Sequence, residues 1–150
     1  MDRQPNHPIY IPPDGPPQGL HLSPAIYAAM GSENIFKMLA DFYLELEKSP
    51  IRSLFPENML EASEKSAAFF VSILGGPPLY QQKYGHPRMR QRHLPFQIDE
   101  NARQIWLMCF KKILERAENY SFPPEHVESF GNFLDKFSLW MVNSKQINQA

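Results

Sequence analysis

The segment from Gly75 to Ile98, GGPPLYQQKYGHPRMRQRHLPFQI, sets the tightest limit on the fold. Glycine and proline crowd both of its ends. Pro77, Pro78, Pro87 and Pro95 each remove a backbone donor and fix φ. No central strand and no long helix can pass through. What remains between Pro87 and Pro95 is one short basic turn, Met89 to His93. Any longer element must lie to either side.

Both sides read as helix. Ser23-Pro24 is a start signal, a capping hydroxyl followed by proline at the first helical position. It opens a short helix from Ala25 to Met30, which Gly31 stops. Ser32 starts the next helix, which ends near Lys48. Its apolar residues Ile35, Phe36, Leu39, Ala40, Phe42, Tyr43 and Leu46 recur at helical spacing. Ile51 to Phe55 is a turn closed by Pro56. Met59 to Leu74 is the third long helix, with Leu60, Ala67, Phe70, Ile73 and Leu74 inward and Phe69 and Val71 widening that face. Gly75-Gly76-Pro77-Pro78 ends it, and a loop runs to Pro87. Asp99 caps a helix to about Glu118 that buries Ile105, Trp106, Cys109, Phe110 and Ile113. Pro123-Pro124 opens the last helix, Glu125 to about Asn143, with Val127, Phe130, Phe133, Leu134, Phe137 and Trp140 inward. Nothing alternates as a strand should. The fold class is all-α.

A chain of 150 residues fits one domain and can bury a core unaided. Residues 23–145 form that domain and residues 146–150 a C-terminal tail. Residues 1–22 carry six prolines, Pro5, Pro8, Pro12, Pro13, Pro16 and Pro17, which suit an extended arm. Ile9, Tyr10 and Ile11 can tack it to the domain; otherwise it is a tail with no role. The formal net charge of −1 gives no electrostatic reason to expect nucleic acid or an anionic membrane. Cys109 is the only cysteine, which excludes an intramolecular disulfide and a cysteine-rich zinc site. The first residues lack a signal-peptide core, and no run is long enough to span a bilayer. The expectation is a soluble cytoplasmic protein. No His, Asp and Glu spacing suits a metal-dependent hydrolase.

Single residues decide little. A histidine such as His93 usually caps a helix or faces water. Tyr43 and Trp106 are ordinarily core. Arg88, Arg90 and Arg92 can form a phosphate patch, though few aromatics interleave them. The order of the motifs says more. Phe42-Tyr43, Phe55-Pro56-Glu57, Gly75-Gly76-Pro77, Tyr80, Gly85-His86-Pro87, Arg90, Arg92-His93, Pro95-Phe96, Trp106-Leu107 and Cys109 follow one another between Ala25 and Asn143. In this the chain resembles the truncated, two-over-two haemoglobins, and among them most closely group II.

The resemblance implies a globin-like two-over-two helical sandwich around a haem b. It implies that His93 is the proximal ligand to a five-coordinate iron. Neutral imidazole is a good axial ligand, and a backbone carbonyl should orient it, Leu94 and Pro95 offering theirs. Tyr43, Ala62, Ser66 and Trp106 match distal positions around the open axial site. Ala62 stands where animal globins usually have histidine, and Ser66 where leucine or glutamine is common. Phe55 matches the aromatic residue packed on the haem. Phe55, Phe70, Met89, Phe96, Ile98, Trp106 and Phe110 should wall the porphyrin. Arg92 should meet a propionate, with Tyr80 and Arg90 as weaker partners. The implied ligands are O₂, CO, NO and similar diatomics, with slow O₂ release for storage, sensing or detoxification of nitric oxide or peroxide. Turnover of the last kind needs an external reductase. The competing expectation is a non-haem helical interaction module derived from a globin.

Overall fold

The structure is a computed structural model that describes residues 7–18 and 21–145. Pro5 and residues 146–150 lie outside that set. Every regular element among the described residues is helical: α1 Ala25–Glu47, α2 Met59–Ile73, α3 Leu79–Tyr84, α4 Met89–His93, α5 Glu100–Leu114 and α6 Val127–Met141. Three 3₁₀ turns, Arg52–Leu54, Ala117–Tyr120 and Pro124–His126, link them. α1 packs on α2 and α5, and α5 packs on α6. This is a two-over-two sandwich, as expected. No helix among the described residues is long and apolar enough to cross a membrane.

Local sequence signals account for most boundaries. The Ser23 hydroxyl accepts the Ala25 N–H (3.1 Å), and Asp99 accepts the Ala102 N–H (2.8 Å). Gly31 sits at φ 74°, ψ 165°, which breaks α1 where the two expected helices meet. Gly75-Gly76 does more than stop α2. A Cβ on Gly75 would lie 2.7 Å from the Pro24 Cα, and one on Gly76 2.6 Å from the Tyr27 ring. Only glycine lets the end of α2 approach the start of α1 so closely.

Several expectations need correction. Leu60 is 65% exposed; Met59 and Ser63 occupy the inward face instead. Asn58 accepts the Glu61 N–H and so fixes the phase of the helix. Residues 79–84, read as loop, form α3; a six-residue helix is too short to show periodicity. α5 stops at Leu114 rather than Glu118, and the chain tightens into a 3₁₀ turn. α6 starts at Val127 after its own 3₁₀ turn. In the arm, Ile9 and Ile11 point outward. Backbone holds it instead: the Tyr10 N–H donates to the Asn143 carbonyl at 2.8 Å.

Candidate functional site

Between the two helix pairs lies a cavity of about 450 Å³, within the usual range for a bound organic cofactor. One wall is the loop and turn the prolines create. Met89, Arg92, His93, Phe96 and Ile98 line it, with Tyr80 from α3. Phe55 and Tyr43 stand at one end, and Ala62, Lys65, Ser66 and Phe70 of α2 form the roof. Trp106 of α5 closes the back. Tyr43, Phe55, Ala62, Ser66, Tyr80, Met89, Arg92, His93, Phe96 and Trp106 therefore border one space, and Arg90, a weaker propionate candidate, does not. Phe110 is the exception among the expected haem walls. It is wholly buried behind that space, tilted against Phe42 at 4.2 Å and edge-on to Trp106 at 5.6 Å.

His93 is held tightly. Its Nδ1 bonds the Met89 carbonyl at 2.5 Å, one turn back along α4. The acceptor is backbone, as expected, but it belongs to Met89; Leu94 and Pro95 come after the ring and do not reach it. Nε2 has no partner among the described residues. Burial drives the imidazole pKa below its usual value. The Met89 carbonyl opposes this, and Lys65 adds slightly to it. The ring is thus neutral near pH 7, the form that ligates a metal.

Across the cavity the polar groups are few. Tyr43 and Ser66 face one another there. Burial raises the Tyr43 pKa, and the nearby Ser66 hydroxyl only partly offsets it, so the phenol keeps its proton as a donor. The Tyr43 ring is set edge-on to Phe42 (5.6 Å) and Phe55 (5.7 Å). The Trp106 indole N–H has no partner among the described residues. The mouth is cationic. Lys65 Nζ sits 5.1 Å from the Tyr84 ring centre and forms no ion pair among the described residues. Arg92 lies over Tyr80 at 5.5 Å and donates to the Tyr84, His86 and Pro87 carbonyls at 2.7–3.0 Å, so it also ties the loop together. Its Nη1 has no partner among the described residues. Arg90 is turned away, donating to the Tyr10, Trp140 and Val142 carbonyls.

The sequence reading missed Lys65 and Arg103. Lys65 is one residue before Ser66, so its helical position was legible; its role at the rim was not. Arg103 is buried at the cavity floor and bonds Ser138, Glu100 and Asp135, fastening α5 to α6. No three His, Cys, Asp or Glu side chains converge among the described residues. An iron held by His93 therefore needs its other ligands from a macrocycle. Apolar walls, one neutral imidazole and a cationic mouth fit a haem.

Residues 25–143 match the family model described as bacterial-like globin, and the chain belongs to that family. It is a truncated haemoglobin, a haem globin of the O₂-binding kind, most like group II. It is 37% identical over 94 residues to group 2 truncated hemoglobin YjbI of Bacillus subtilis, covering 62% of this chain and 71% of that one. The crystal structure of phosphate-bound Hell's gate globin IV superposes with a TM-score of 0.78 at 36% identity, covering 87% of this chain and 82% of that one. The truncated oxygen-avid haemoglobin from Bacillus subtilis gives a TM-score of 0.71 at 33% identity, covering 78% and 98%.

Proposed function

We propose that this protein holds a haem b through His93 as a five-coordinate iron and binds O₂ tightly with slow release. The observation that carries the reading is His93. It is a buried neutral imidazole, clamped through Nδ1, with Nε2 at a large apolar cavity and without a partner among the described residues. When bound, haem would supply an iron that takes a diatomic ligand such as O₂, CO or NO.

The chain's own residues do the rest. Phe55, Phe70, Phe96, Ile98 and Met89 give the porphyrin an apolar slot and keep water out. Lys65 and Arg92 would meet the propionates at the mouth. Tyr43 O–H and Trp106 N–H would donate toward a diatomic ligand held in the cavity. Burial keeps the Tyr43 proton on the phenol. Ala62 is too small to block access. Two donors on one small acceptor would slow its departure, in line with the oxygen-avid haemoglobin from Bacillus subtilis that this chain resembles. Holding O₂ this way suits storage, sensing or oxidative detoxification better than transport. Detoxification would draw electrons from a separate reductase. The buried free Cys109 thiol suits a reducing cytoplasm. Nothing in the cavity favours a haem-free interaction module.

His93→Ala tests the reading. Wild-type protein should purify with, or take up, one haem and show a Soret band. The variant should lose haem or bind it loosely, with recovery on adding imidazole. Stoichiometric haem and unchanged spectra in His93→Ala would refute the ligand assignment.

A further inference from the structure

α4 is five residues long and has no side-chain cap. A helix this short does not hold its own shape, and its last carbonyls need partners from elsewhere. Local backbone serves two of them, Leu94 N–H on the Gln91 carbonyl and Phe96 N–H on the His93 carbonyl; the long-range partner is one residue, Asn143, just past the end of α6. Its side chain is fully buried. Its Nδ2 donates to the carbonyls of His93 (3.0 Å) and Phe96 (2.9 Å). Its Oδ1 accepts the Ile98 N–H (3.0 Å) and pairs with the His7 ring (3.0 Å). Its backbone N–H donates to the Ile98 carbonyl at 2.9 Å, and its carbonyl accepts from Tyr10.

The other end of α4 is tied to the same place. Arg90 donates to the Trp140 (2.6 Å), Val142 (2.8 Å) and Tyr10 (2.8 Å) carbonyls, with its guanidinium 4.4 Å above the centre of the Trp140 ring. The turn that carries His93 is thus gripped at both ends by the C-terminus of α6, and the N-terminal arm closes over the grip. Met89, through its carbonyl, fixes how the imidazole rotates. Asn143 fixes where the backbone beneath it sits.

We propose that Asn143 is a positioning residue for His93: it holds the His93 and Phe96 carbonyls and so sets the tilt of the imidazole toward the haem iron, braced by Arg90 and Tyr10. The inference rests on the haem reading above. Groups that orient a metal-bound histidine from behind commonly change metal affinity by roughly tenfold to a hundredfold when removed.

The test uses the full chain in the ferrous, ligand-free state. Resonance Raman spectroscopy reads the iron–histidine stretching band, and transfer to excess apomyoglobin reads haem loss. Asn143→Ala should lower and broaden the band and speed haem loss by roughly tenfold or more. Arg90→Gln should shift the band the same way by less, and it decides the matter if Asn143→Ala does not fold. Tyr120→Phe is the control. It removes a 2.7 Å bond to Asp41 outside the cavity wall and should lower the melting temperature without moving the band. A band unmoved in Asn143→Ala and Arg90→Gln, or moved equally in Tyr120→Phe, overturns the proposal. A wild-type protein with no iron–histidine band refutes the haem reading itself, and this inference with it.

Discussion

Removing one oxygen atom from Tyr43 should speed O₂ loss far more than it loosens the fold. Tyr43→Phe keeps the ring, and with it the edge contacts to Phe42 and Phe55 at 5.6 and 5.7 Å. What goes is a phenol proton and the oxygen that lies near the Ser66 hydroxyl. For the fold, the loss is at most one neutral hydrogen bond, about 1 kcal/mol. For the ligand, it is a donor to an acceptor that carries charge, about 1.5–3 kcal/mol. At about 1.4 kcal/mol per factor of ten, O₂ dissociation should rise roughly tenfold to a hundredfold. Stopped-flow displacement of O₂ by excess CO measures that rate directly. The donor is also insensitive to alkali at moderate pH. Burial raises the Tyr43 pKa above its ordinary value of about 10, so the wild-type rate should stay flat from neutral into mildly alkaline buffer. If Tyr43→Phe leaves the dissociation rate within a factor of two while the melting temperature falls, Tyr43 is a packing residue and the distal argument fails.

Other consequences follow from the same geometry. Trp106→Phe removes a second donor and should also speed O₂ dissociation, by about tenfold; an unchanged stopped-flow rate would assign the indole to packing alone. Gly75→Ala puts a Cβ against the Pro24 backbone at φ +106° and should cost roughly 2–4 kcal/mol in a denaturant titration. A midpoint equal to wild type would show that α1 and α2 do not need the close approach. Tyr120 donates to the Asp41 carboxylate, and burial, then that bond and charge, raise its pKa. The folded state therefore holds this proton more firmly than the unfolded chain. Its stabilisation is full below about pH 10 and fades as pH rises further. Tyr120→Phe should flatten the alkaline fall in melting temperature, and an unaltered slope would contradict the coupling.

The sequence made some features plain and hid others, for physical reasons. Caps and breakers act locally, so Ser23, Gly31, Asp99 and the Gly75–Pro78 run showed the ends of helices without help from the fold. The tight set of motifs around His93 marked the cavity wall that carries it, and helical spacing put Tyr43 and Trp106 on inward faces. Leu60 and Phe110 went astray because a hydrophobic stripe says which side of a helix is buried but not its phase to within one residue, nor whether a buried ring meets a cavity or lies behind it. α3 was too short for any periodic signal. The sequence offers Arg90 only as a weaker propionate partner, and neither its real contacts nor those of Asn143 are legible there. Their partners lie about fifty residues away, and an asparagine after a helix looks like an ordinary end until the chain folds back on it.

The most direct test is the absorption spectrum of purified wild-type protein, reduced and then exposed to CO. Ligation by His93 predicts a Soret band, a five-coordinate high-spin ferrous spectrum, and a sharp shift to a six-coordinate form when CO is added. A colourless protein that refuses added hemin, or a ferrous spectrum that CO leaves unchanged, would contradict it.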